Sequence, residues 1–500
     1  MRWIRRVCAA TEGTAQTLGG KALGLVELHR LGLPVPEGFV VTAEACRAFL
    51  REGRLPEGLG EELASAVADL ERSTGRVFGG PDRPLAVSVR SGAGVSMPGM
   101  MTTVLNLGLT AGATEGLAAE TGDRRFALDA RRGFLASFAS ATAQASVPED
   151  AAGQLVRAVE AVFSSWETPR AHAYRELNGI PHDLGTAVVV QRMVFGNRDE
   201  RSGSGVAFSR NPNTGEQLPY GDVLFGHQGE DVVSGRATTR PLRELAQREP
   251  EVWAGLVDAL RRIEGHLRDA CYVEFTVESG ELWLLQVRPG RFTGGAAVRV
   301  AVELVDEGLI GREEALLRVS PAHLRLVRTP RIASTVEADH LARGIGACPG
   351  VATGRIATTA DGAVWMARSG PVVLVRPETS PGDLRGLAAA TGIVTARGGP
   401  ASHAAVVARA MGKPAVVGVA GLTVDTGSVT AGGRTLPEGT LVTLDGTSGD
   451  VVLGSPHTVT DAADEHLHRL LAWADDASGD PSARDEAGRL EAAHTALRIR

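Results

Sequence analysis

Apolar residues recur along this chain in two rhythms, one of period near 3.6 and one of period two, and the changes of rhythm fall at glycine and proline. The first fifty residues predict a glycine turn and a helix from about Lys21 to Leu31. Pro34, Pro36, a short strand, FVVT, and another helix follow. Between 84 and 109 the run PLAVSVR predicts a strand that enters the loop SGAGVSMPGMM and leaves as a second strand, TVLNLGL. Residues 124–142 and 150–177 carry helical spacing. Strands then dominate, in the β-rich runs TAVVVQRMVFG, GSGVAFSR, DVLFG, YVEFTVESG and ELWLLQVR. Residues 296–318 predict a helical pair broken at Gly308 and Gly311.

These elements predict a first domain over 1–318. A composition shift at 319–345, with Pro321, Pro330 and scattered arginines, predicts a linker. A smaller domain is expected over 346–455, with short strands and glycine turns around one clear helix, 402–411. A helical and polar tail over 456–500 contains DEHLHRLLAWADD and ends in a surface helix or frayed end. At 500 residues the chain is long enough for at least two domains with substantial cores.

Composition narrows the function classes. The chain is 43% hydrophobic but only 4% aromatic and has 62 glycines, so its cores should be built mainly from Ala, Val and Leu. A formal charge of -7 gives no general attraction to nucleic acid or to an anionic membrane. No stretch is apolar enough to span a bilayer, and a cytoplasmic enzyme is expected. Cys8, Cys46, Cys271 and Cys348 lie far apart with no CxxC, which predicts ordinary thiols. Of the 52 basic residues only Lys21 and Lys413 are lysines, each beside glycine, and a lysine kept in such a background can be needed for its compact ammonium.

Four segments carry candidate chemistry. In GGPASHAAVVARAMGKPAVVG, residues 398–418, two glycines and a proline set a turn, Ser402 can cap, and His403 falls in the first turn of a small-residue helix. A phosphoryl group on that imidazole would face free backbone N–H groups and the positive helix end, although such a histidine also serves as an ordinary capping or surface residue. Lys21 after a glycine pair, Arg90 at a strand end, and the 91–101 loop can together hold phosphate, or the loop can simply join two strands tightly. No Walker sequence is present. In residues 272–291, two strands joined at Ser279-Gly280 place Tyr272, Glu274, Thr276 and Glu278 on one face and Gln286 with Arg288 on a face of the next. Carboxylate and amide groups there suit a magnesium nucleotide, while a solvated face explains Glu278 equally well. Finally, GVAFSRNPNTGE and FGHQGEDVVSG put Arg210, Gln228, Glu230 and Asp231 at strand ends and turns, where they bind a ligand or only form the turn.

Taken in order, VRSGAGVSMPGMMTTVLNLGL, RFALDARRGFLASF, AVFSSWETPRAHAYRELNGIPHDLGTAVVVQRMVFGN, SGVAFSRNPNTGE, QGEDVVSG and VLVRPETSPGDLRGLAAATGIVTARGGPASHAAVVARAMGKPAVVG resemble the pyruvate, phosphate dikinase family from about residue 18 to 475. The resemblance implies an α/β fold, in which an ATP-grasp nucleotide-binding domain is followed by a smaller swivelling phosphohistidine domain. It implies that Lys21, Arg90, Gln286 and Arg288 contact ATP phosphates, that Glu274 binds Mg²⁺, and that His403 is the catalytic phosphate carrier, while Arg210, Glu230 and Asp231 are expected as further ATP or phosphate contacts from their places at strand ends and turns. His403 would attack the β-phosphate of ATP and release AMP, and the γ-phosphate would pass to orthophosphate as pyrophosphate.

Three departures from the family qualify this. The family's third domain, a barrel that binds pyruvate and phosphoenolpyruvate, should begin just after LLAWADD, yet the sequence continues for only 24 residues, so a separate acceptor subunit is expected. Tyr272 stands where the family has an aspartate, and as a phenol is a poor Mg²⁺ ligand, which directs attention to Asp269 and Glu278 as substitutes. The helical part between Phe134 and Glu160 is abbreviated, and Ala401 replaces a threonine that regulatory kinases modify in plant relatives. Assembly of identical chains is a further expectation. Two other functions fit the same motifs: phosphotransfer to another small molecule, as in the rifampin phosphotransferases, and nucleotide-dependent regulation without turnover.

Overall fold

The computed structural model describes residues 3–95, 97, 100–142, 146–229, 239–290, 292, 294–333, 339–400, 402–460, 465–480 and 484–499. It is an α/β protein, as the sequence predicts. The chain divides into two compact units, 1–203 with 275–287, and 204–274 with 288–500.

In the first unit, the strands Ile4–Arg6, Gly38–Val41, Ala187–Arg192, Val87–Gly92 and Thr103–Leu107 lie side by side in that order, every neighbouring pair antiparallel. The runs FVV and AVVV are fully buried, because the sheet is covered on both faces and alternation is not required of its inner strands. Phe134 and Phe138 of the helix Arg124–Thr142 pack with Leu155, Val159, Val162 and Phe163 of the helix Ala151–Ser164 against Val87, Val89 and Val104. The predicted 150–177 helix is two helices, since Pro169 has no N–H to continue the ladder and instead starts a new helix, Pro169–Leu177, capped by Thr168.

The sheet made by Arg240–Pro241, Tyr220–Phe225, Gly203–Phe208, Cys271–Glu278 and Glu281–Pro289 contains the predicted hairpin. Ser279 and Gly280 both have positive φ, 52° and 83°, the conformation that a two-residue turn needs to match strand twist.

The second unit contains an eight-stranded mixed sheet, ordered His340–Arg343, Asp450–Leu453, Leu441–Asp445, Val351–Ala357, Val372–Arg376, Gly392–Thr395, Ala415–Val417, Ile345–Cys348. Strand alternation splits its side chains between two cores. Val372 and Leu374 face one, with Ala404, Ala405 and Ala408 of the helix His403–Met411, while Val373 and Val375 face the other, with Val429 and Ala431. The predicted helix at 402–411 is present, and two short helices, Ala360–Met366 and Leu384–Ala389, join it on the chain. Lys413 lies at the end of the second of these, where its ammonium donates to the carbonyls of Ala388 and Ala390. The helical pair Gly294–Asp306 and Arg312–Arg318 packs with the C-terminal helices Glu465–Ser478 and Glu486–Ile499 through Leu304, Leu316, Leu467, Leu471 and Leu490. The last of these helices has a buried side, so it is more than a frayed end.

Candidate functional site

His403 is the first residue of its helix, as the turn chemistry predicts. Ser402 is the N-cap, its hydroxyl accepting from the Ala405 amide at 3.5 Å, and Gly412 closes the helix in the left-handed conformation. His403 Nδ1 lies 3.0 Å from Thr379 Oγ1. When Nδ1–H donates to that oxygen, Nε2 carries the lone pair and is the nucleophilic nitrogen. Thr379 is itself buried and leads into a tight turn in which Asp383 accepts from the Ser380 amide at 2.8 Å and hydroxyl at 2.9 Å. Burial pulls the His403 pKa below the ordinary imidazole value, and the Asp383 carboxylate opposes this only in part.

The sign of that shift gives a prediction. A lowered pKa keeps the imidazole neutral at more acidic pH, so if His403 accepts a phosphoryl group the acid limb of that reaction should be centred below the ordinary imidazole value of about 6.5. Initial rates across pH check this, and an acid limb centred above about pH 7 would contradict it.

The residues before His403 are fixed from the far end of its helix. Arg409, buried among apolar groups, donates to Ala347 O at 3.0 Å and to Pro400 O at 2.6 Å. Gly399 approaches the strand Tyr220–Phe225 so closely that a Cβ there would lie 2.3 Å from an Asp222 carboxylate oxygen. Sequence reading missed both Thr379 and Arg409, although each lies inside a segment that carried the family resemblance. Ala401 lies outside the described residues.

In the first unit the structure brings Lys21 beside the start of the 91–101 loop. The helix Ala15–Arg30 is kinked at Gly19, where φ is 76°, and Gly20 N donates to Ala93 O at 3.1 Å. A side chain on Gly19 would begin 1.5 Å from Gly92 O, which is why this approach needs glycine. One beginning on Gly92 would lie 3.7 Å from Lys21 Cβ. Arg90, from the same strand end, donates to Gln191 Oε1 and, at 3.4 Å, to Leu285 O, the residue before Gln286. Three of the expected phosphate-binding residues therefore belong to neighbouring segments of this unit. Of the loop, Met97 and Met100 pack with Trp166 and Ile180.

In the second unit Tyr272, Glu274 and Arg288 come together. The Tyr272 hydroxyl donates to Glu274 Oε1 at 3.4 Å, and the Arg288 guanidinium carbon lies 4.1 Å from the Tyr272 ring centroid. Burial pushes the phenol far above its ordinary pKa, with the Glu274 charge acting in the same direction, so Tyr272 remains protonated and offers no anionic oxygen to a metal. The two candidate substitutes are engaged elsewhere. Asp269 lies 3.5 Å from Arg318, and Glu278 accepts from the Phe195 amide at 3.2 Å and lies 3.4 Å from Arg198. Among the described residues no three acidic, histidine or cysteine side chains are grouped to hold a metal ion. A half-exposed Glu274 still fits Mg²⁺ brought by a nucleotide, since that ion keeps waters and phosphate oxygens and needs only one or two carboxylates.

Arg210 has a different setting from the one the sequence suggests. It is fully buried and donates to Glu264 at 2.6 Å, Glu303 at 2.9 Å and Glu307 at 2.7 Å, which leaves no face of the guanidinium for phosphate in this arrangement. Glu230 and Asp231 lie outside the described residues.

Comparison with known proteins fits this geometry. Residues 15–77 and 50–252 match the pyruvate phosphate dikinase AMP/ATP-binding domain, and residues 369–449, which include His403 and Thr379, match the mobile domain of PEP-utilising enzymes. The chain is 40% identical over 540 residues to a pyruvate, phosphate dikinase of Rhizobium meliloti (strain 1021). It belongs to the pyruvate, phosphate dikinase family. The same family's Clostridium symbiosum enzyme is 38% identical over 527 residues, and pyruvate, phosphate dikinase 2 of Zea mays is 41% identical over 513. These alignments cover 95%, 95% and 92% of this chain but 60%, 60% and 58% of the respective relatives. The chain thus spans about 60% of the length of these dikinases, including both segments to which the family models assign nucleotide binding and mobility. No helix among the described residues is long and apolar enough to cross a membrane.

Proposed function

We propose that this chain is a dikinase-type phosphotransferase that loads His403 from ATP. The observation that carries the proposal is His403 itself, a largely neutral imidazole at a helix N-terminus whose Nδ1 is held by Thr379. Thr379 would keep the Nδ1–H tautomer, so that Nε2 attacks the β-phosphorus. The N–P bond forms as the bond from β-phosphorus to the α,β-bridging oxygen breaks, and AMP leaves with that oxygen. The γ-phosphoryl group then passes to orthophosphate, giving pyrophosphate and phospho-His403. The backbone N–H groups of the helix start and their partial positive charge would stabilise the phosphoryl group on the imidazole.

In this reading Lys21, Arg90, Gln286 and Arg288 bind nucleotide phosphates. Glu274 holds Mg²⁺, which supplies countercharge for the triphosphate. Phospho-His403 would serve pyruvate and phosphoenolpyruvate chemistry, with the acceptor site on a separate subunit or domain. The buried, protonated Tyr272 favours one alternative, nucleotide binding with impaired turnover.

Incubation with Mg-ATP and orthophosphate, followed by nucleotide and pyrophosphate analysis, separates the two. AMP and pyrophosphate in equal amounts are expected, whereas saturable ATP binding without AMP would favour the impaired form.

A further inference from the structure

A ladder of cations and rings runs through the second unit. Arg288 lies over the Tyr272 ring, Tyr272 meets Phe208 edge to face with centroids 5.0 Å apart, and the Arg409 guanidinium carbon lies 5.7 Å from the Phe208 centroid. All but Arg288 are nine-tenths or more buried. Arg409 ends the ladder inside the helix of His403 and ties down the carbonyl of Pro400, in the turn that sets His403. Two contacts accompany it, the approach of Gly399 to Asp222 and a 2.7 Å hydrogen bond from Asn213 Nδ2 to Gly346 O.

We propose that Tyr272 and Phe208 are positioning residues, a seat of two rings that holds Arg409, and through it the turn before His403, in register with Arg288. The physical reason for rings is charge. Arg409 is buried with two carbonyl acceptors, and a ring face attracts a guanidinium without adding a net negative charge that would compete with incoming phosphate. Burial lowers the Arg409 pKa to about 10, so it remains a cation at neutral pH. Arg288, 4.1 Å from the Tyr272 ring centroid, is likewise held in place. Tyr272 is then more than a missing metal ligand. It joins the group proposed to hold phosphate to the loop of the group proposed to receive it. That functional link rests on the roles proposed above for Arg288 and His403, whereas the seat rests on the contacts alone.

The test uses hydrogen exchange of the full chain, read by mass spectrometry over residues 398–409, with calorimetric ATP binding and His403 loading alongside. In Phe208→Leu, exchange in this segment should rise roughly five- to thirtyfold, the range expected for losing about 1–2 kcal/mol of cation–π contact, and in Tyr272→Leu, which removes the ring packed on Phe208, it should rise in the same direction, while segments of the first unit keep their wild-type exchange. Tyr272→Phe retains the ring and should change it less than about twofold. Arg409→Lys, which keeps charge but not the planar fork, should also raise exchange at 398–402. The loading rate should fall in Phe208→Leu more than ATP affinity does. Unchanged exchange at 398–409 in the leucine variants, or equal acceleration throughout the chain, would overturn the seat. If the wild-type protein shows no His403 loading, the phosphotransfer reading fails, and the exchange data still decide whether the seat exists.

Discussion

Replacement of His403 by alanine is expected to abolish phosphorylation of the chain from ATP, lowering the rate by at least about four orders of magnitude, the scale seen when a nucleophile is removed outright. Among the described residues, Thr379 is buried and hydrogen-bonded to the imidazole and Ser402 is engaged as the helix cap, so neither hydroxyl is placed to take over. ATP binding should persist in the variant, since the residues proposed to hold the nucleotide are on other segments. Retention of label in His403→Ala would move the acceptor elsewhere. Loss of ATP binding together with label would instead show that the substitution had disturbed the fold.

The largest effect on stability should come from Arg210. Its guanidinium is the only cation hydrogen-bonded to Glu264 among the described contacts, and it also bonds Glu303 and Glu307 on one face of the helix Gly294–Asp306 and just beyond it. Burial alone would depress its pKa, but the hydrogen bonds and charges of Glu264 and Glu307 outweigh this and raise it. Arg210→Met removes the positive charge and leaves a buried carboxylate uncompensated, at a cost of about 3–5 kcal/mol. Denaturant unfolding monitored in the second unit, for instance through Trp473, checks this. A loss under about 1 kcal/mol would show that Arg299 or water compensates. An effect on ATP binding out of proportion to unfolding would restore Arg210 to the phosphate-binding set.

The contrast between Arg210 and His403 shows what was legible in the sequence. His403 was readable because its chemistry is local: glycines, a cap and a run of small residues lie within a few positions of it. The hairpin turn at Ser279-Gly280, the helix break near Gly308 and the six runs that carry the family resemblance are local in the same sense. Arg210 was also noticed, but its partners lie 54, 93 and 97 residues away and no periodicity connects them. Thr379, 24 residues before His403, was hidden for that reason. The helices Ala360–Met366 and Leu384–Ala389 are seven and six residues long, too short to establish a period, although the capping hydroxyl of Thr359 and the turn closed by Ser380 and Asp383 mark their starts. Alternation correctly paired Tyr272 with Glu274, but it could not show Arg288 lying over the ring, because that contact joins two strands.

The most direct test of the central claim compares β-³²P-ATP with γ-³²P-ATP in the presence of Mg²⁺ and orthophosphate, with the labelled peptide identified by mass spectrometry. The account predicts acid-labile, base-stable label on His403 from the β-labelled nucleotide alone, with the γ-label recovered in pyrophosphate. Label on His403 that derives from the γ-phosphate, or no label under any divalent-metal condition, would contradict it.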